Sequence, residues 1–304
     1  MNAQRQEAPT SLRLAAPTLR VRDLGAALRF YEEDLGLKKR MMKGASDGLE
    51  LVGLGFPAAA DPLLILKHDP AAAAPRPDSA GLYHYAVLLP GRRDLASTFL
   101  AVGSSGVAYD GYADHSFSEA VYLHDPELNG IELYADRPRS AWPDLTGLSE
   151  DPGRYQRFSS LNGPLDLRSL LGELTPGERA RPVPFPSGAR IGHMHLRVTD
   201  LERSVEFYRS KLGLDVTMYL PEIGAAFLSM DGYHHHLGLN TWQSEGGHPH
   251  RAGEAGLEGF RMALASADDV AAVARRFPGL GREEDGDLRV EDPDGIPIAL
   301  GSRA

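Results

Sequence analysis

Three side chains of metal-binding type stand within apolar, strand-like segments: His84, Glu132 and His193. Glu132 is flanked by Ile131 and Leu133, where an unpaired carboxylate would be costly to bury. Two imidazoles and one carboxylate leave the other positions of a metal open for substrate and O₂, and this set suits non-haem Fe(II). Structural zinc would favour four closed ligands that include cysteine, and the chain has no cysteine. Plainer interpretations are a hydrogen-bonded core histidine for His193 and a solvated edge glutamate for Glu132.

The chain contains one sequence unit twice. Residues 19–24 (LRVRDL) return as residues 196–201 (LRVTDL), and the similarity continues downstream of both. This register places the three candidate ligands opposite residues that cannot bind a metal through a side chain: Ala16, Gly259 and Ala299. Each copy holds what the other lacks, which predicts one shared site and not two separate ones.

The hydrophobic periodicity predicts four units, each of the form strand, helix and three strands (βαβββ), and hence an α+β fold. The predicted segments of the first copy are 14–22, 23–35, 37–43, 48–54 and 62–68, then 82–89, 94–102, 107–112, 119–124 and 130–135. Those of the second copy are 191–198, 200–211, 214–219, 225–230 and 234–240, then 257–265, 267–277, 279–284, 287–291 and 296–300. The predicted domains are 12–137 and 190–302, and the connector 138–189 is rich in proline and glycine, with one short helix at 165–174.

Composition narrows the function. A net charge of -10 argues against a nucleic-acid partner and against an anionic membrane surface. No apolar run reaches the length of a membrane helix, and the N-terminus lacks a secretory signal pattern, so we expect a cytoplasmic protein. The oligomeric state stays open, a homo-oligomer included.

Several long phrases carry a specific resemblance. They include residues 81–85 (GLYHY), 130–138 (GIELYADRP), 191–196 (IGHMHL) and 232–242 (GYHHHLGLNTW). The chain resembles the vicinal oxygen chelate (glyoxalase, bleomycin resistance and extradiol dioxygenase) superfamily, in particular its two-domain catechol 2,3-dioxygenase branch. The resemblance implies two tandem glyoxalase-like domains, a catecholic substrate, O₂ as co-substrate, and Fe(II) held by His84, Glu132 and His193. Ligand type alone does not exclude Mn(II).

The same resemblance implies catalytic residues. Tyr122 precedes Glu132 by ten residues, as the active-site tyrosine precedes the ligand glutamate in extradiol enzymes. His235 fits the motif of their acid/base histidine. Strand alternation over 234–240 instead separates His235 from His234 and His236, so His236 is the alternative. His115 is a further candidate for substrate contact.

The chain departs from ordinary extradiol enzymes in the order of its units, since the unit with His84 and Glu132 precedes the unit with His193. We therefore expect units two and three to combine into one metal-binding cup, and units one and four to pair without metal.

A glyoxalase-like isomerase or thiol transferase is an alternative function, although such sites generally use two carboxylates. A metal-free protein that sequesters small molecules is another.

Overall fold

The structure is a computed structural model that describes residues 12–56, 61–280 and 286–303. The first copy comprises β1 (Leu12–Leu14), β2 (Thr18–Val21), α1 (Leu24–Leu28), β3 (Lys38–Gly44), β4 (Glu50–Gly55), β5 (Leu64–His68), β6 (Gly81–Leu89), α2 (Arg92–Ser104), β7 (Gly111–Asp114), β8 (Ser118–His124) and β9 (Gly130–Asp136). The connector contains α3 (Arg154–Ser160), α4 (Leu167–Gly172) and α5 (Pro176–Ala180). The second copy comprises β10 (Arg190–Arg197), α6 (Leu201–Glu206), β11 (Asp215–Leu220), β12 (Ala225–Ser229), β13 (Leu237–Asn240), β14 (Gly256–Leu264), α7 (Ala267–Ala274), β15 (Leu288–Glu291) and β16 (Pro297–Ser302).

The strands form two eight-stranded sheets, which confirms the predicted α+β fold. One sheet has the order β11-β12-β13-β10-β6-β9-β8-β7, so it joins unit three to unit two. The other has the order β15-β16-β14-β2-β5-β4-β3, with β1 on β14, and joins unit four to unit one. The pairing expected from the divided ligands is confirmed, and it occurs within one chain. The sheets therefore do not coincide with the sequence copies.

The first helix of each copy has an equivalent N-cap and an equivalent π-helical continuation. The Asp23 carboxylate accepts the backbone N–H of Ala26 at 2.8 Å, and Asp200 accepts that of Arg203 at 3.0 Å. Each helix continues into a π-helical turn, over Arg29–Asp34 and Phe207–Lys211.

In each copy, one buried tyrosine–aspartate hydrogen bond connects the two units. Tyr31 donates its hydroxyl proton to Asp125 at 2.9 Å, and Tyr208 donates to Asp292 at 3.0 Å. Each bond links the helical region of one unit to a turn of the next unit. Because the two units of a copy belong to different sheets, these bonds tie the two sheets together.

Local structure departs from the predicted segments in several places. The predicted strand 14–22 is divided between β1 and β2 around Pro17, which has no N–H to donate to a ladder. The predicted strand 234–240 begins only at Leu237, and the predicted strand 279–284 lies largely outside the described residues. The connector has three α-helices, of which only one was predicted. No helix in the described ranges combines the length and apolarity needed to cross a lipid bilayer.

Candidate metal centre

The three candidate ligands meet on one face of the sheet that joins units two and three. Ala86 on the central strand β6 pairs with His193 of β10 on one side and with Glu132 of β9 on the other. His84 precedes Ala86 by two residues and therefore shares its face. Ala86 is fully buried between these two neighbours. The copies of the repeat thus meet at this point of the sheet.

The distances within this ligand cluster (His84, Glu132 and His193) are short. Glu132 Oε2 lies 3.0 Å from Nε2 of His84 and 3.0 Å from Nε2 of His193. The two Nε2 atoms are 3.4 Å apart. All three residues are buried, and one ligand atom from each lies within 4.8 Å of the others. Two nitrogen atoms and one carboxylate oxygen that converge in this way fit a divalent cation.

The protonation states suit a cation as well. Burial by itself would raise the pKa of Glu132, but the adjacent His193 and His84 hold it well below its usual value. Burial lowers the pKa of His84. Glu132 is therefore a carboxylate near neutral pH, and His84 is neutral with a lone pair available for a metal.

Tyr122 is held by a hydrogen-bonded chain that begins in the connector. Asn162 donates its Nδ2 proton to the Phe158 carbonyl at 2.7 Å, which turns its Oδ1 atom toward His115 Nδ1 at 2.5 Å. His115 Nδ1 therefore carries the proton, and its Nε2 accepts the Tyr122 hydroxyl at 2.7 Å. Burial and the charge of Glu132 raise the pKa of Tyr122 well above its usual value. Tyr122 consequently remains a proton donor.

His235 is oriented by a second hydrogen-bonded chain. Asp136 Oδ1 accepts Nε2–H of His234 at 2.9 Å, and the Nδ1 atoms of His234 and His235 are 2.8 Å apart. With both rings neutral, Nδ1 of His235 donates to His234, so the Nε2 atom of His235 keeps its lone pair. The ring lies 4.2 Å from that of His193 and lines the cavity above the ligand cluster. Burial, with His193 close by, lowers the pKa of His235 well below its usual value.

His236 occupies a different environment. Its Nδ1 atom lies 2.9 Å from Ser229 Oγ, and the residue does not line the cavity. Strand alternation favours His236 only if a continuous strand spans 234–240, whereas β13 begins at Leu237. Residues 234–236 follow an irregular path, which turns His235 toward the cluster.

The cavity above the ligand cluster measures about 650 Å³ and contains groups that the sequence analysis did not select. Phe158, Leu161 and Asn162 come from the connector, and no sequence pattern indicated their contribution. His195 is 5% exposed and also lines the cavity, and its Nε2 atom has no hydrogen-bond partner. Strand alternation from His193 was the available signal for it. Gly238 provides its space, since a Cβ atom there would lie 2.9 Å from the His195 Cγ atom.

Comparison with known proteins agrees with this architecture. The model of the glyoxalase/bleomycin resistance protein/dioxygenase superfamily matches residues 13–133 and 190–300. The chain belongs to this superfamily. The resemblance carried by the quoted phrases is thereby confirmed. Both matched segments contribute to the ligand cluster: the first contains His84 and Glu132, and the second contains His193.

Three known proteins are similar to this chain over nearly its whole length. A Bacillus subtilis protein named catechol-2,3-dioxygenase is 36% identical over 279 residues, which cover 90% of this chain and 92% of the relative. Glyoxalase I from Zea mays is 17% identical, with a TM-score of 0.56 over 96% of this chain and 92% of that structure. The cppA protein of Streptococcus pneumoniae is 12% identical, with a TM-score of 0.50 over 97% and 99%. At these identities the two structural similarities show the shared fold only.

Proposed function

We propose that this protein is an extradiol ring-cleaving dioxygenase that uses Fe(II) and O₂ to open the ring of a catechol. The observation that carries the proposal is the convergence of His84, Glu132 and His193 below an open cavity. The cavity also contains Tyr122 and His235, the two other residues implied by the extradiol motifs. The relative named catechol-2,3-dioxygenase supports the same reaction.

The ligand cluster would hold the metal through two imidazole nitrogens and one carboxylate oxygen. Bound there, Fe(II) would supply a Lewis acid for the catechol oxygens and a redox centre that activates O₂. Mn(II) is compatible with the same donor atoms. Since only three protein ligands are used, room is left for both reactants.

His235 is the proposed acid/base group. Its Nε2 lone pair can take a proton from a catechol hydroxyl, and the resulting N–H can return that proton to an oxygen later in the reaction. The bond from His235 Nδ1 to His234 fixes the ring orientation. Asp136, which binds His234, stabilises the positive charge that develops when the proton is taken up.

Tyr122 is the proposed hydrogen-bond donor to a substrate oxygen. Its hydroxyl is protonated and lies beside the ligand cluster, with the ring 5.8 Å from that of His84. In the structure the hydroxyl donates its single proton to His115, which positions it, and on substrate binding this proton would turn to the substrate oxygen.

Anaerobic reconstitution with Fe(II), followed by measurement of O₂ uptake with catechol, tests the proposal. We expect stoichiometric O₂ consumption and a ring-cleaved, semialdehyde-type product that absorbs visible light, and no reaction in metal-free protein. Iron binding without O₂ uptake for any catechol would contradict it. Turnover of a methylglyoxal–thiol adduct would instead indicate the isomerase alternative.

A further inference from the structure

Arg197 is the third side chain on the cavity face of β10, after His193 and His195. It lines the cavity, but within the described ranges no carboxylate pairs with it. Its Nη1 atom donates to Gln243 Oε1 at 3.3 Å, and its Nε atom is buried without a partner. Burial lowers the pKa of the guanidinium below its usual value. A partly buried guanidinium with so few acceptors is costly for a folded chain.

The other sheet contains an equivalent arginine that is paired with acidic side chains. Arg20 is the repeat equivalent of Arg197: Arg20 pairs with Gly256 and Lys67, as Arg197 pairs with Gly81 and Asn240. Arg20 is fully engaged by two acids. Glu258 accepts from its Nε and Nη2 atoms, both at 2.9 Å, and Asp69 accepts from Nη1.

The same registers identify what replaces those acids beside Arg197. Glu258 and Tyr83 each lie two residues after the glycine that pairs with the arginine, so they correspond. Asp69 and Trp242 correspond in the same way, since each lies two residues after the arginine's partner on the other side, Lys67 or Asn240. In the places of both carboxylates, the sheet with the ligand cluster has aromatic side chains that line the cavity. The Arg197 guanidinium thus occupies the same place in its sheet as that of Arg20, without the two carboxylates that neutralise Arg20.

An aromatic wall connects the ligand cluster to Arg197. The Tyr83 ring lies 5.3 Å from His84, 5.1 Å from His195 and 5.2 Å from Trp242. Along β10, Arg197 is four residues beyond His193, a separation of about 13 Å between Cα atoms in an extended strand. A ring bound at the cluster would therefore lie against this wall, with its substituent directed toward Arg197.

We propose that Arg197 binds a carboxylate group carried on a ring substituent of the substrate, so that the enzyme acts on catechols with an acidic side chain. The inference rests on the proposed function and adds a substrate class to it. A carboxylate matches the guanidinium fork and can form two charge-assisted hydrogen bonds with it. The cavity of about 650 Å³ has room for such a side chain, since pockets of this size bind ligands larger than a bare catechol.

The test compares 3,4-dihydroxyphenylacetate and 3-(3,4-dihydroxyphenyl)propionate with 4-methylcatechol, using iron-loaded full-length protein and O₂ uptake. We expect a higher kcat/KM for an acidic catechol than for 4-methylcatechol, and a preference that weakens as salt increases. Arg197→Gln should lower the ratio of acidic to neutral kcat/KM by about 10- to 100-fold, mainly through KM. Arg197→Lys should lower it less.

Arg209→Gln is the matched control. The Arg209 side chain is 67% exposed and lies outside the cavity, so this substitution removes the same charge without changing the cavity lining. It should leave the substrate ratio unchanged. A wild-type preference for 4-methylcatechol, or a ratio that Arg197→Gln does not alter, would overturn the inference while ring cleavage stands. If iron-loaded protein cleaves none of the three catechols, the proposed function fails instead.

A binding measurement that requires no turnover separates the two proposals further. Calorimetry with metal-free protein and 3-phenylpropionate should show weaker binding to Arg197→Gln than to wild type. Equal binding to both proteins would count against the role of Arg197, whatever the activity of the loaded enzyme.

Discussion

The Nε2 atom of His193 lies 3.0 Å from the Oε2 atom of Glu132, although the two residues belong to different copies of the repeat. Strand β6 lies between their strands, and Ala86 is the residue that separates them. A metal bound here would depend on both copies at once. Neither copy contains all three ligands, so neither copy could bind the metal by itself.

The first prediction concerns metal stoichiometry. We expect a single Fe(II) per chain, and His84→Ala and His193→Ala should each abolish binding, because each removes a ligand of the same site. His248→Ala, at a side chain that is 53% exposed, is the control and should retain iron. Metal analysis after gel filtration measures the outcome. Loss of only half of the iron in either variant would indicate separate sites.

The second prediction assigns the acid/base role between adjacent histidines. His235→Ala should keep its iron and lose turnover by about 10²–10⁴-fold. His236→Gln can preserve a contact with Ser229 and should remain active, because His236 does not line the cavity. Steady-state O₂ uptake with measured iron content distinguishes the two. An active His235→Ala enzyme together with an inactive His236→Gln enzyme would reverse the assignment.

The third prediction concerns Tyr122. Tyr122→Phe removes the hydroxyl that donates to His115 in the structure and, by proposal, to a substrate oxygen once substrate is bound. The kcat should fall by about 10- to 100-fold with iron content unchanged. Tyr112→Phe serves as control, since Tyr112 is 41% exposed and does not line the cavity. Equal kcat values for the two variants would remove Tyr122 from the reaction.

The fourth prediction follows from the buried turn at Asp292. Burial raises the pKa of Asp292 to about 6 from an ordinary 3.8, even though Tyr208 donates to this carboxylate. The fold therefore favours the protonated form. Its contribution to stability is complete below about pH 3 and is lost as the pH rises through about 6.

Asp292→Asn tests this dependence, because an amide does not titrate. The unfolding free energy of wild type minus that of the variant should fall by about 2 kcal/mol between pH 4 and pH 7. Urea unfolding at a series of pH values measures it. Asp144→Asn, at a carboxylate whose pKa is lowered by Thr146, should show no such fall. A difference for Asp292→Asn that is constant with pH would contradict the prediction.

Sequence by itself determined the four units and the three residues of the ligand cluster. The repeat aligns each ligand with a residue that cannot bind metal, and strand alternation places His193, His195 and Arg197 on one face. These are local properties, and period and register express them directly in the chain. The division of ligands even indicated which units had to pair.

Tertiary structure decided everything that depends on contacts between distant segments. The irregular path before β13 turned His235, and not His236, toward the cluster. Folding of the connector brought Asn162 to His115, which fixes the direction of the Tyr122 hydroxyl. The isolation of Arg197 became visible only through strand register, which shows Tyr83 and Trp242 in the places that acids occupy around Arg20. Such partners are set by long-range packing, which no local pattern in the sequence encodes.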